Sequence, residues 1–119
     1  MQKQKMFIKG APASAPFLKE IDVLIADTFL TRFAGLMFRK PLPAATGLFL
    51  APCNSVYMCF MRFAIDVIYL DKDFKIIKVV QHLKPWISIS MYRKAWAVLE
   101  MNAGEAERCG LELGKRLEI

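Results

Sequence analysis

The stretch that most constrains the fold is Val56–Asp71, V-Y-M-C-F-M-R-F-A-I-D-V-I-Y-L-D. It is the longest apolar run in the chain. It is rich in Val, Ile, Tyr and Phe, residues that fit a pleated, half-buried surface. The turn signal D-K-D-F at Asp71–Phe74 closes it, so it reads as strand rather than helix. Its 16 residues are long for one strand, since strands usually hold about 5–6. A bulge or bend is therefore expected near Phe63–Ala64, dividing the run into two strands or one strongly bent one. Before the bend Tyr57, Cys59, Met61 and Phe63 share one face, and Met58, Phe60 and Arg62 the other. After it, alternation sets Asp66, Ile68 and Leu70 against Ile65, Val67 and Tyr69.

Two charges, Arg62 and Asp66, lie inside this run. Burying a lone carboxylate costs several kcal/mol unless something compensates it. Three arrangements would do so. Arg62, four positions earlier, pairs with Asp66 internally; Asp66 accepts backbone N–H groups at the bend; or both line a pocket that binds something polar. The two structural arrangements come first, because buried pairs perturb charges as readily as sites do.

The flanks read as packaging. Residues 1–16 carry lysines, Gly, Ala and Pro with little period, and read as a flexible N-terminal arm; residues 17–119 form a single domain. Phe17–Ile25 alternates as a strand. Asp27 caps a helix whose apolar stripe is Phe29, Leu30, Phe33 and Met37, and Pro41 stops it. Arg32 sits on that helix, either as an anion-binding group over a pocket or as an exposed arginine. Gly47–Ala51 is a short buried strand. Lys75–Leu83 pairs with the central run as an antiparallel hairpin. Lys84–Met91, with Pro85 and alternating Ile and Ser, is irregular or an edge strand. Lys94–Met101 is a strand with Trp96, Val98 and Glu100 on one side, where Glu100 is expected to be half exposed. Asn102 and Glu105 have capping-box spacing for a second short helix that Gly110 ends. Arg116–Ile119 closes the sheet. The pattern predicts a mainly β, compact antiparallel barrel-like or sandwich domain with two short helices.

The motifs R-F-x-G-L-M-x-R-x-x-L at Arg32–Leu42, G-L-F-L at Gly47–Leu50, F-M-R-F-x-I-D-V-I-Y-L-D at Phe60–Asp71, L-E-M-N-A-G at Leu99–Gly104 and G-x-x-x-G at Gly110–Gly114 occur in order. In this series the chain resembles the bacterial and archaeal family catalogued as domain of unknown function 192, over about residues 20–119. Tyr57 stands where the family often has His, and Ala64 where it often has Pro. The resemblance implies a compact, mainly β domain of barrel-like or sandwich shape, and no activity.

The net charge of +6 invites a nucleic-acid reading. Residues 1–19 hold Lys3, Lys5, Lys9 and Lys19 and no acid, while residues 20–119 hold 13 basic and 11 acidic side chains. The domain is thus nearly balanced, and no recognition helix, zinc finger or basic-aromatic motif appears. No specific nucleic acid is expected. Three cysteines without C-x-x-C argue against a disulfide framework and for a reduced, cytoplasmic protein; removal of an upstream signal would make it secreted or periplasmic. No run is long enough for a membrane span.

His82 is the only histidine, and no close Cys/His spacing suggests a metal. No phosphate loop, nucleophile elbow or dinucleotide fingerprint appears, so no cofactor is expected. What remains is a polar set in an apolar setting: Arg32, Met61, Arg62, Asp66 and Glu100. The first reading is a noncatalytic module binding a small polar or anionic ligand or a protein partner. The second is a small enzyme with Asp66 or Glu100 as acid/base and arginine as anion holder.

Overall fold

The alternation of the central run decides the architecture. In the computed structural model, which describes residues 2–9, 19–26, 41–86 and 88–118, nine strands appear. They are β1 (Gln2–Lys9), β2 (Lys19–Ala26), β3 (Thr46–Leu50), β4 (Ser55–Tyr57), β5 (Ile65–Leu70), β6 (Ile76–Leu83), β7 (Ile89–Met91), β8 (Ala97–Asn102) and β9 (Arg116–Glu118). One short helix, α1 (Glu105–Arg108), follows β8. The helix expected from Asp27 lies outside the described residues.

Seven strands form one sheet in the order β6-β5-β8-β3-β2-β1-β9, and β4 and β7 form a separate pair. All pairings are antiparallel except β2 with β3. The large sheet curls until its two outer strands meet at one end. Lys75, just before β6, bridges Arg116 of β9. The Ile76 N–H donates to the Lys115 carbonyl at 2.7 Å, and the Leu117 N–H to that of Phe74 at 2.9 Å. The expected mainly β, barrel-like domain is therefore present, as a half-barrel with its edges tied at one corner.

Each central strand is buried on both faces, so the alternation yields two cores. Ile21, Val23, Phe49, Ile68, Leu70, Leu99 and Met101 pack on one face with Ala106, Cys109 and Leu111. Leu48, Leu50, Ile65, Val67, Tyr69 and Val98 pack on the other with Val56, Met58 and Met61. The expected division of Ile68 and Leu70 from Ile65, Val67 and Tyr69 is thus met.

Four expectations are corrected. Residues 2–9 are no loose arm. They form β1, inserted between β2 and β9, with Met6 and Ile8 buried. The central run does divide into two strands, but it breaks earlier than Phe63–Ala64. It leaves β4 at Tyr57, turns through Met58–Ala64 and re-enters the large sheet at Ile65. The bulge falls instead on the partner strand β6. Finally, Asn102 and Glu105 form no capping box. Helix α1 has Gly104 as its N-cap residue, in the left-handed region at φ 92°. The Asn102 side chain exchanges hydrogen bonds with the Leu42 backbone, and Glu105 Oε1 accepts from the Ala45 N–H at 2.7 Å. Both side chains turn outward to fasten the segment leading into β3.

Candidate functional site

Asp66 lies on β5 opposite an irregularity in β6. Their register jumps from Ile65–Leu83 to Val67–Val80, so Gln81 and His82 occupy an extra position facing Asp66. An unpaired bulge residue leaves its N–H without a ladder partner. Here His82, at φ 55°, donates that N–H to Asp66 Oδ1 at 2.9 Å. The other oxygen, Oδ2, accepts the Gly104 and Ala106 N–H groups, both at 2.9 Å. These are donors at the start of α1, left over because a helix cannot satisfy its own first N–H groups. Asp66 is 0% exposed. Three charge-assisted hydrogen bonds offset the desolvation of its carboxylate. Of the arrangements open to Asp66 in the sequence, backbone N–H capture is the one formed.

Arg62 is exposed, and no ion pair joins it to Asp66. Met61, its neighbour, is buried in the second core. Glu100 is buried rather than half exposed. It lies beside Val67 on β5 and Leu48 on β3, whereas Asp66 lies beside Met101. Directly opposed residues share a face. The two carboxylates therefore point to opposite sides of the same sheet, Asp66 toward α1 and Glu100 toward the second core. No single reacting atom can lie between them. Arg32 is outside the described residues. Among those described, no three His, Cys, Asp or Glu side chains are placed to hold a metal ion.

The feature that the sequence reading did not isolate is the outer surface of the small sheet. Tyr57 pairs with Ile89, Val56 with Ser90, and Ser55 with Met91. Val56 and Ser90 face inward, where Ser90 Oγ lies 2.6 Å from the Tyr69 hydroxyl. Burial pushes the Tyr69 phenol up from 10.0, and the Ser90 hydrogen bond opposes that only in part. Tyr57, Ile89 and Met91 face solvent, each more than half exposed. Two further exposed rings lie on the turns that follow β4 and precede β7. Phe60 and Trp86 meet edge-to-face, with centroids 5.5 Å apart. Both have left-handed backbones, at φ 65° and 74°, a region that bulky residues rarely enter. Exposed Arg62, Lys84, Arg93 and Lys94 lie within a few residues of these side chains. No Asp or Glu occurs in residues 51–65 or 74–99. The signal was in the alternation Ile89-Ser90-Met91, but with inverted sense: the serine side faces the core and the apolar side faces water.

A shallow cleft beside the small sheet is lined by Pro52, Cys53, Asn54, Ala95 and Trp96. It brings no carboxylate, histidine or cation together.

The fold and the buried Asp66 define a half-barrel domain whose interior carboxylate ties strand, bulge and helix into one unit. The chain belongs to the family described as "Uncharacterized ACR", domain of unknown function 192, whose model matches residues 12–119. It is 40% identical over 103 residues to a UPF0127 protein of Pyrococcus furiosus, covering 82% of this chain and 86% of that one. A Pyrococcus horikoshii UPF0127 protein is 36% identical over 104 residues, covering 83% and 88%. Among solved structures, a proposed transcription regulator from Sinorhizobium meliloti superposes with a TM-score of 0.86 at 24% identity, covering 98% of this chain and 93% of that one. A protein of unknown function from Novosphingobium aromaticivorans gives 0.85 at 22%, covering 100% and 86%. At those identities the likeness speaks to the fold alone. No helix among the described residues is long and apolar enough to cross a membrane.

Proposed function

We propose that this chain is a noncatalytic binding module, and that its contact surface is the outer face of β4 and β7 with the cations beside it. The observation that carries this reading is the exposed cluster of Tyr57, Phe60, Trp86, Ile89 and Met91. Tyr57 and Ile89 are paired on the small sheet and the Phe60 and Trp86 rings touch, and large apolar side chains gathered in water cost solubility and mark interaction sites. Arg62 belongs to the contact surface. Met61 supports it from beneath, and Asp66 holds the β6 bulge from which the chain leads on to Lys84 and Trp86. Glu100 is part of the same supporting core, and Arg32 stays a candidate anion-holding group by its charge.

The acid/base reading draws little support from the geometry. Asp66 is closed off by three backbone donors, and Glu100 lies across the sheet from it. General acid/base chemistry needs a group within hydrogen-bond reach of substrate.

The test is retention on the immobilised protein from soluble and membrane fractions of its own cells, beside a Tyr57→Ser/Ile89→Ser variant. Both changes are at exposed positions, and circular dichroism confirms that the variant is folded. The wild type is expected to retain a component that the variant does not. Identical retention by the two proteins removes the reading.

A further inference from the structure

We infer that the outer face of β4 and β7 docks on an anionic phospholipid bilayer, with its apolar side chains entering the interface and Arg62, Lys84, Arg93 and Lys94 lying at the headgroups. This rests on the reading of that face as the contact surface, and names what it contacts.

Three observations carry the choice of partner. The first is charge. The segments forming and flanking the small sheet contribute these exposed cations and no carboxylate. A surface of one sign is drawn to the anionic leaflet, where each Lys or Arg adds to the attraction. The same single sign opposes a self-complementary contact with a second copy, which would set cation against cation.

The second is the kind of apolar residue. Trp86 and Tyr57 have the amphipathic rings that favour the membrane–water interface. Ile89 and Met91, 64% and 55% exposed, gain nothing from base stacking but gain from transfer out of water. The Phe60 and Trp86 rings are engaged with each other edge-to-face, which is a poor platform for intercalated bases. These features favour a bilayer over a single-stranded nucleic acid.

The third is backbone strain. Phe60 and Trp86 hold left-handed conformations in solvent-exposed turns, where Gly or Asn would fit without penalty. Strain in a bulky residue persists where the surrounding structure fixes it, and it clusters at functional surfaces. Here it holds two large rings edge-to-face, with Arg62 and Lys84 each two positions along the chain from one of them.

The experiment is co-sedimentation of the full chain with vesicles of phosphatidylcholine alone, and of phosphatidylcholine mixed equally with phosphatidylglycerol. Tryptophan emission is read in a Trp96→Phe background so that Trp86 alone reports. Wild type is expected to bind the mixed vesicles and not the neutral ones, with a blue shift on binding and weakening in high salt. Trp86→Ser/Ile89→Ser and Lys84→Glu/Arg93→Glu are each expected to lower the partition by about tenfold or more. Failure to bind mixed vesicles, or equal binding by the Trp86→Ser/Ile89→Ser variant, overturns the inference. So does binding of a short polythymidine oligonucleotide without vesicle binding, which assigns the face to nucleic acid. If vesicles fail while a protein is retained only by the intact face, the bilayer is wrong and the binding face stands. If neither assay depends on the face, both readings fall.

Discussion

The Asp66 carboxylate caps, from 40 residues away, the helix that contains Ala106, whose N–H it accepts at 2.9 Å. A helix N-cap normally comes from the residue just before the helix. Here that residue is Gly104, which has no side chain to offer, and Asp66 supplies the acceptor from a neighbouring strand. The same side chain holds the His82 N–H of the β6 bulge. One buried group thus fixes the mutual placement of β5, β6 and α1.

Replacing Asp66 by Ala would leave three N–H groups without their acceptor, that of Ala106 buried and those of His82 and Gly104 partly so. At about 1–3 kcal/mol for a buried unsatisfied donor, with partial relaxation, the loss is expected near 3–5 kcal/mol. Asp66→Asn keeps one acceptor oxygen and should lose less. Arg62→Met should leave stability unchanged and should not rescue Asp66→Ala, because the two side chains form no pair. Urea unfolding of the single and double variants measures this. A clear recovery in the double variant would mean that Arg62 and Asp66 do interact.

The N-terminal strand leads to a second expectation. Deleting residues 1–9 removes β1 from between β2 and β9 and exposes what Met6 and Ile8 cover. Burial of each such side chain contributes about 1.5–3 kcal/mol, so the truncated chain should melt far below the full one or fail to fold. Ile8→Ser should show a milder form of the same loss. A truncated chain melting within a few degrees of the full one would be incompatible with β1 as a structural strand.

These two cases show what the sequence makes legible. The alternation of Ile65–Leu70 and of Ala97–Met101 is a local pattern, and both faces of each strand are where it puts them. The hairpin at Asp71–Phe74 is equally local: Asp71 Oδ1 accepts the Asp73 and Lys75 N–H groups. The partners of Asp66 lie 16 to 40 residues away, and those of Asn102 lie 60 away. No spacing rule reaches that far. The lysines of residues 1–16 read as a flexible arm because their partners too lie outside the local window. Lys5 meets Glu20 at 2.7 Å and Lys9 meets Glu118 at 3.2 Å. The exposed apolar face of β7 is hidden for a different reason: a strand with apolar residues on one side is ordinarily read as burying that side, and β7 exposes it.

At Gly47 the β3 backbone lies close against the side chains of β8. A Cβ built there would lie 2.6 Å from Leu99 Cδ1 and 3.2 Å from Met101 Cγ, both on fully buried side chains. Gly47→Ala is therefore expected to cost about 1–3 kcal/mol through overpacking. Leu99→Ala alone should cost about 2–5 kcal/mol through the space it leaves. Combined, the two changes should cost less than their sum, since the new methyl occupies room that Leu99 vacated. Additive losses in the double-variant cycle would show that the approach is looser than these distances.

Tyr69 links the two sheets through Ser90 and gives the fold an alkaline limit. Its phenol is raised above 10.0 chiefly by burial. The folded protein therefore keeps that proton at a pH where the unfolded chain, near 10, has begun to lose it. Above that pH the unfolded state binds fewer protons than the folded one, so this group's contribution to stability falls as pH rises. At neutral pH, Tyr69→Phe should be less stable than wild type by about 1 kcal/mol, the worth of one hydrogen bond, with Ser90 left to find another partner. As pH climbs past 10 the wild type should lose stability faster, and the gap should close and then reverse. Urea midpoints of the two proteins between neutral pH and pH 11 read this out. A gap that stays constant across that range would show that Tyr69 ionises in the folded protein as readily as in the unfolded chain.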